Sequence, residues 1–458
     1  MAMIAERHRK SPVRLDIIVV GAGLSGLATA IATTLSGHKV TVFESAKELH
    51  EIGAGLQVTP NATRILQQWD LPESLWRSAA EPASVTVHRY SGEVLAREDG
   101  FGAAMRARYG APFLDLHRVD LHAALHARAR ALGVAFRLGE AVAAVDFDKP
   151  EVVCAGPCTR TRARARADLV VAADGLWSRC RACLLGRRAG DPPRPTGDLA
   201  YRVVLDAADL EENDDDEDAE LREWVARPAC RFWIGPGAHA AGYSLRAGSA
   251  YNLVLLVPDD LPDGVSKLDG DIAEMRARFQ GWDPRLTRLL GLVKGVRKWK
   301  LMHRDELDSW INEQSNMVMV GDSCHPMLPY LAQGANSAIE DGAVLGHLLG
   351  HIKAKSQLPK ALKMYETLRK ARGEAIVRET FKQRESFHMP DGPEQAARDR
   401  IFRLQLETGE VRAPFPSRWT CPQVQPWLYG YDAYKEVEEA VLQSPFPDVD
   451  EAVVANGK

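Results

Sequence analysis

The chain has 458 residues, 45% of them hydrophobic and 26% charged, with a formal net charge of −4. That length allows two domains or one large composite domain, and the weakly acidic balance gives no electrostatic reason to expect nucleic acid or an anionic membrane as a partner. The first 14 residues, MAMIAERHRKSPVR, are basic without an apolar core, and no stretch reaches the ~18 charge-free apolar residues of a membrane span. A cytoplasmic protein is therefore expected. Seven cysteines suggest no disulfide framework, and the lone CxxC of Cys180 and Cys183 lacks the second pair that a zinc site needs. No metal is expected.

Residues 17–35 read IIVVGAGLSGLATAIATTL: a β-branched run, three glycines, then an Ala- and Leu-rich helix. This is the strand, turn and helix order that brings a pyrophosphate to a helix N-terminus. Gly21 makes the turn, Gly23 clears the backbone for phosphate, and Gly26 lets helix and strand pack closely. The next strand, KVTVFES, ends in Glu44, 18 residues beyond Gly26, where a carboxylate reaches the ribose hydroxyls. A loop carrying Gly53 and Gly55 follows, placed to lie along a cofactor, and Thr59 or Pro60 starts a short helix towards Trp69.

SVTVHRY and EVLA, between 82 and 97, read as antiparallel sheet and a first excursion from the nucleotide fold. A helix over 116–133 has Arg118 at its start, within reach of a cofactor. Arg160, Arg162, Arg164 and Arg166 recur at a period of two, as on the solvated face of a hairpin arm. DLVVAADGLWSRCR (168–181) is a buried strand ending at Asp174 and Gly175. The second excursion, about 190–300, reads as strands LAYRVVLDA, CRFWIGPG, AAGYSLRAG and YNLVLLVP, followed by two outer helices. The acidic run at 211–220 interrupts it and reads as a mobile surface loop. Then a strand at 316–320 ends in Gly321 and Asp322, a proline-punctuated loop spans 325–333, and Gly334, Ala335 and Asn336 open a long helix. Its first-turn N–H groups suit a delocalised anion. Further helices run to about 388, and the aromatic tail is expected to be partly ordered. The fold class is α/β, Rossmann-like. The expected domains are a discontinuous nucleotide-binding domain at 15–81, 110–189 and 301–370, an inserted antiparallel-sheet substrate domain at 82–109 and 190–300, and a C-terminal helical region and tail at 371–436.

With these motifs in hand, the sequence resembles the group A flavin-dependent aromatic monooxygenases, in particular their salicylate-hydroxylase-like fungal branch. The likeness runs from about residue 15 to residue 433. It rests on GAGLSG at 21–26, on Ala172-Ala173-Asp174-Gly175 with Ser178 and Arg181, and on Gly321-Asp322 followed by His325, Pro326 and Pro329. The resemblance implies a GR2-type FAD-binding fold and NADPH or NADH as transient co-substrate. It also implies hydroxylation of an aromatic or phenolic secondary metabolite by O₂ through a flavin C4a-hydroperoxide.

It assigns Asp322 to the ribityl chain, Arg118 and Asp174 to FAD, and His325 to shaping the flavin loop. Pro329 falls beside the flavin's reactive edge. Arg202, in an AYR-like strand, and Tyr243, in a later strand where Ser244 replaces the relatives' proline, are the expected substrate-activating pair. Tyr201, Phe232, Trp233 and Tyr243 are candidates to line the lid. An epoxidase or oxidase acting on an alkaloid or prenylated substrate, and a non-catalytic flavin-binding protein, remain alternatives. Monomer and homodimer are both open.

Overall fold

The computed structural model describes residues 8–49, 53–155, 163–186, 191–206, 208 and 216–447. A five-stranded parallel sheet lies at its centre, in the order Met317–Met319, Leu169–Ala172, Asp16–Val20, Lys39–Glu44 and Ala135–Leu138. The middle strands are almost continuously apolar because helices cover both faces of a parallel sheet. Two of those helices, Leu24–Leu35 and Gln333–His351, cross at unusually close range. A Cβ on Gly342 would sit 2.7 Å from the Thr29 nitrogen, and one on Gly346 would sit 2.6 Å from Ala32. Small residues at this crossing lock the two helices together and bring both their starts to one cleft.

The two excursions merge into a single eight-stranded sheet. Its order is Lys267–Asp269, Arg297–His303, Arg194–Asp206, Ala250–Pro258, Ala238–Leu245, Ala229–Gly235, Ser84–Arg89 and Val94–Asp99. Every pairing is antiparallel except that of Ala229–Gly235 with Ser84–Arg89. One face packs on helices Asp216–Ala226, Ile272–Arg278 and Pro284–Gly291 through Leu221, Met275 and Leu289. The other face looks towards the parallel sheet. The architecture is thus the α/β, Rossmann-like one expected, with an inserted sheet and C-terminal helices.

The lid and the acidic run differ from expectation. Tyr201 and Trp233 do not line the lid: both pack on the helix-covered face, Tyr201 donating to Glu274 at 3.0 Å and Trp233 to Asp283 at 2.8 Å. Strand alternation sends Arg202 and Phe232 the opposite way. The acidic run is not all loop, because the helix Asp216–Ala226 starts within it; residues 211–215 lie outside the described residues. Of the four periodic arginines, Arg164 and Arg166 are exposed on the strand Arg164–Arg166, while Arg160 and Arg162 lie outside the described residues.

The tail is also more regular than expected, with helices Pro393–Thr408, Val424–Tyr429 and Ala433–Gln443. WLYGYDA is held by Arg372. Its guanidinium donates to the Trp427 and Leu428 carbonyls at 2.9 and 3.0 Å and stacks 4.0 Å over Tyr431.

Candidate active site

Where the two sheets face each other they enclose a cavity of about 300 Å³. Its floor comes from three strand-to-helix junctions of the parallel sheet: Gly23 to Ser25, Ala173 with Gly175, and Asp322 with Gly334 and Ala335. Its roof is the inner face of the inserted sheet, where alternation aligns Arg202, Phe232, His239, Tyr243, Val254 and Leu256. Gly55 and Arg118 stand between them, and Pro329 and Trp419 close the far side.

The floor suits a long anionic cofactor. The helix Leu24–Leu35 has no side-chain cap, and a side chain on Gly23 would meet nothing within 4 Å. The Ser25 hydroxyl lines the cavity, buried and without a hydrogen-bond partner among the described residues. A buried polar group left this way carries a desolvation cost that a phosphate oxygen would relieve. The helix Gln333–His351 likewise starts without a side-chain cap, and Gly334 leaves open space above it. Asp322 is exposed to the cleft yet deep in the molecule. Burial raises its carboxyl above the usual range, against the opposing pull of His325 and Arg118.

Several predicted residues build the cleft without lining it. Gly21 has φ +105°, and a Cβ there would lie 2.4 Å from the Ala173 carbonyl; one on Gly26 would lie 1.9 Å from the Gly21 carbonyl. Glu44 accepts the Ala22 and Ala46 N–H groups, each at 2.8 Å, and so fixes the glycine turn. The Asp174 carboxylate takes Ser178 Oγ–H at 2.6 Å and the Arg179 and Cys180 N–H groups at 2.7 and 2.9 Å, holding its own turn.

Gly321 donates its N–H to Asp341 at 2.8 Å. His325 is fully buried behind that turn, its Nε2 2.6 Å from Asp341; burial opposes protonation, but the Asp341 charge lifts the ring above the usual histidine value. Asn336 ties the helix start to the Gln57 carbonyl and the Thr59 N–H, both at 3.0 Å.

In the roof, Arg202 lies 5.0 Å from the centre of the Trp299 ring. Burial lowers its pKa, with Arg118 adding to that and Tyr243 opposing it, so the three groups share one field. Burial pushes the Tyr243 phenol well above its ordinary value. Ser244 is turned away and donates to the Val225 carbonyl at 2.8 Å. Gly55 passes directly beneath this wall, donating its N–H to Asn252 at 2.7 Å; a Cβ there would lie 2.5 Å from Asn252 and 2.6 Å from Tyr243. Gly55→Ala should therefore cost about 1–3 kcal/mol by overpacking and displace Tyr243. Urea unfolding checks this, and an unchanged midpoint with unchanged flavin affinity would show that the contact gives way freely.

Sequence reasoning missed His239, Tyr330 and Trp419. His239 sits four residues before Tyr243 on the same strand, so its position was readable by alternation once Tyr243 was placed. Tyr330 and Trp419 are joined by a hydrogen bond of 3.1 Å from the Trp419 indole to the Tyr330 carbonyl, across 89 residues, and no local pattern signals that.

The FAD binding domain family matches residues 14–380. The FAD-dependent monooxygenase OpS4 of Beauveria bassiana is 52% identical over 431 residues, which are 94% of this chain and 98% of that protein. The 3-amino-4-hydroxybenzoate 2-monooxygenase PtnB3 of Streptomyces platensis is 33% identical over 92% of this chain and 97% of its own length. The crystal structure of CtdE in complex with FAD and substrate 4 superposes with TM-score 0.77 at 22% identity, covering 94% of this chain and 98% of that one. With family and relatives matched along nearly its whole length, and a cleft whose donors fit the cofactor, the chain belongs to the FAD-binding-domain family of FAD-dependent monooxygenases and is an FAD-dependent oxidoreductase.

Proposed function

We propose that the protein hydroxylates a phenolic or other electron-rich aromatic secondary metabolite, using NADPH or NADH and O₂, in the manner of the salicylate-hydroxylase-like fungal branch. The observation that carries this reading is the convergence of Arg202, Tyr243 and His239 on one wall of the cavity. They face the uncapped helix start at Gly334 and Ala335.

Bound FAD would supply the redox chemistry, accepting hydride from NAD(P)H and activating O₂. Gly23, Ser25 and Arg118 would hold its phosphates and Asp322 its ribityl hydroxyls, with Gly334 and Ala335 offering N–H groups to negative charge on the ring. Arg202 favours the phenolate over the phenol, because a nearby cation stabilises the charged form. Tyr243 donates a hydrogen bond to the same oxygen, and its raised pKa keeps it a donor at any working pH. His239 takes the phenolic proton: its Nδ1 is engaged by His388, so Nε2 is the ring nitrogen left for the cavity. Pro329, at the start of the turn Pro329–Leu331, fixes the backbone beside the helix start. The apolar Phe232, Val254 and Leu256 exclude water from the reacting edge.

The test is NADPH and NADH oxidation by the FAD-loaded protein in labelled O₂, with 3-amino-4-hydroxybenzoate and a panel of larger phenols. Acceleration by a phenol, with label in its product, is expected. Label ending only in hydrogen peroxide and water across the panel would overturn the reading.

A further inference from the structure

Behind His239, on the side away from the cavity, lies a cluster of buried polar groups. His239 Nδ1 is 2.7 Å from His388 Nε2, and His388 Nδ1 is 3.9 Å from Asp198 Oδ2. His239 and His388 are 2% and 9% exposed and Asp198 1%. Asp198 is gripped by Arg384, whose Nη2 donates to Oδ1 at 2.7 Å and whose Nε donates to Oδ2. The Tyr330 hydroxyl donates to that same Oδ2. The Arg384 side chain is 31% exposed. These segments come from three separate places: the inserted strands Arg194–Asp206 and Ala238–Leu245, and the end of the helix Leu358–Phe387.

We infer that His388 and Asp198 are positioning residues that set the tautomer of His239, leaving its Nε2 bare towards the cavity. The inference rests on the reading of the cavity as one that ionises a phenol. One hydrogen is shared between the two rings, and it has two possible arrangements. In the first, His239 donates from Nδ1, which leaves a bare Nε2 for the cavity and puts the His388 proton on Nδ1, facing the Asp198 carboxylate. In the second, His388 donates from Nε2, which points its own bare Nδ1 at that carboxylate and gives His239 an Nε2–H.

Lone pair against carboxylate is repulsive, and at 3.9 Å in a buried site the repulsion is poorly screened. Asp198 therefore selects the first arrangement, in which His239 is a proton acceptor. Among the described residues, the titratable and charged groups facing the pair are Asp198, Arg384 and Tyr330. Burial holds His388 at about 4 and His239 well below the usual value, so both rings are neutral at rest. The phenolic O–H breaks as its proton joins His239 Nε2, and the Nδ1 proton passes across 2.7 Å to His388 Nε2; the positive charge gained then rests on His388, 3.9 Å from the Asp198 carboxylate, and balances the phenolate left in the cavity.

The test needs no substrate: nitrogen NMR of the FAD-loaded protein with labelled histidine, assigned with His239→Asn and His388→Gln. A protonated Nδ1 and a bare Nε2 are expected on His239. Asp198→Asn should move the His239 Nε2 signal towards the N–H position by redistributing the tautomers, while leaving bound flavin in place. A wild-type His239 already protonated on Nε2, or an Asp198→Asn spectrum identical to wild type, would overturn the inference. If the Asp198 variant fails to fold, the wild-type spectrum still decides. The expected tautomer without phenol oxygenation would leave this inference standing and sink the proposed function; phenol oxygenation with the opposite tautomer would do the reverse.

Discussion

Arg369→Met should lower stability by about 3–5 kcal/mol and release flavin, although Arg369 is not among the residues that line the cavity. The guanidinium is fully buried between Glu340 and Asp341, at 2.7 and 2.8 Å. Glu340 is shared with Arg372 at 2.9 Å and accepts from the Asn61 amide at 2.6 Å. Asp341 also holds the Gly321 N–H and His325. Burial alone would raise the Asp341 carboxyl; His325 and Arg369 overcome that and hold it at about 2. Removing Arg369 strands two carboxylates with one fewer cation inside the protein, the situation in which breaking a buried pair is costly. Asp341 then loses its fixed place, and with it the Gly321 turn that presents Asp322 to the cleft. Urea unfolding with flavin fluorescence measures both effects. Lys363→Ala, which breaks a pair whose lysine is 73% exposed, is the control and should cost under about 1 kcal/mol. Equal midpoints for the two variants would refute the argument.

That network shows where sequence reading stops. The glycine turns at 21–26 and 321 were legible because a tight turn, a close helix and a cofactor each demand glycine at a fixed offset from a strand end. Glu340, Asp341, Arg369 and Arg372 carry no such mark. On helices they read as ordinary solvent-facing charges, and only the packing of Gln333–His351 against Leu358–Phe387 turns them inward. His325 was visible beside its Gly-Asp turn, but whether it faced the cleft or Asp341 depended on a residue 16 positions away.

The inserted sheet posed a different problem. One face packs on helices and the other lines the cavity, so apolar residues of LAYRVVL fall on both sides and the pattern does not single out the inward set. Tyr201 and Arg202 were both reasonable lining residues from sequence, and a sheet can place only one of two neighbours there. The histidine pair behind the cavity was beyond reach for a simpler reason: its two imidazoles are 149 residues apart.

Arg202→Ala should cut product formation by roughly 10²–10³-fold, the range for loss of a preorganised charge at a reacting centre, while FAD stays bound. The separation of these effects follows from position. Arg202 projects from the inserted sheet into the roof, stacked near Trp299, whereas Gly23 and Ser25, which fit the cofactor's phosphates, belong to the floor. Its charge is already disfavoured by burial and by Arg118, so a phenolate between roof and floor would relieve a strain that a neutral phenol would not. Alanine removes that preference, so the aromatic ring in the cavity is poorly activated for oxygenation. NAD(P)H consumption per product should rise, with hydrogen peroxide as the balance. Arg202→Lys keeps the charge but loses the planar group over Trp299, and an intermediate coupling is expected. Stopped-flow measurement of flavin reduction beside product yield separates binding from chemistry. Should Arg202→Ala retain wild-type rate and coupling, Arg202 has no part in the reaction and Tyr243 with His239 must suffice.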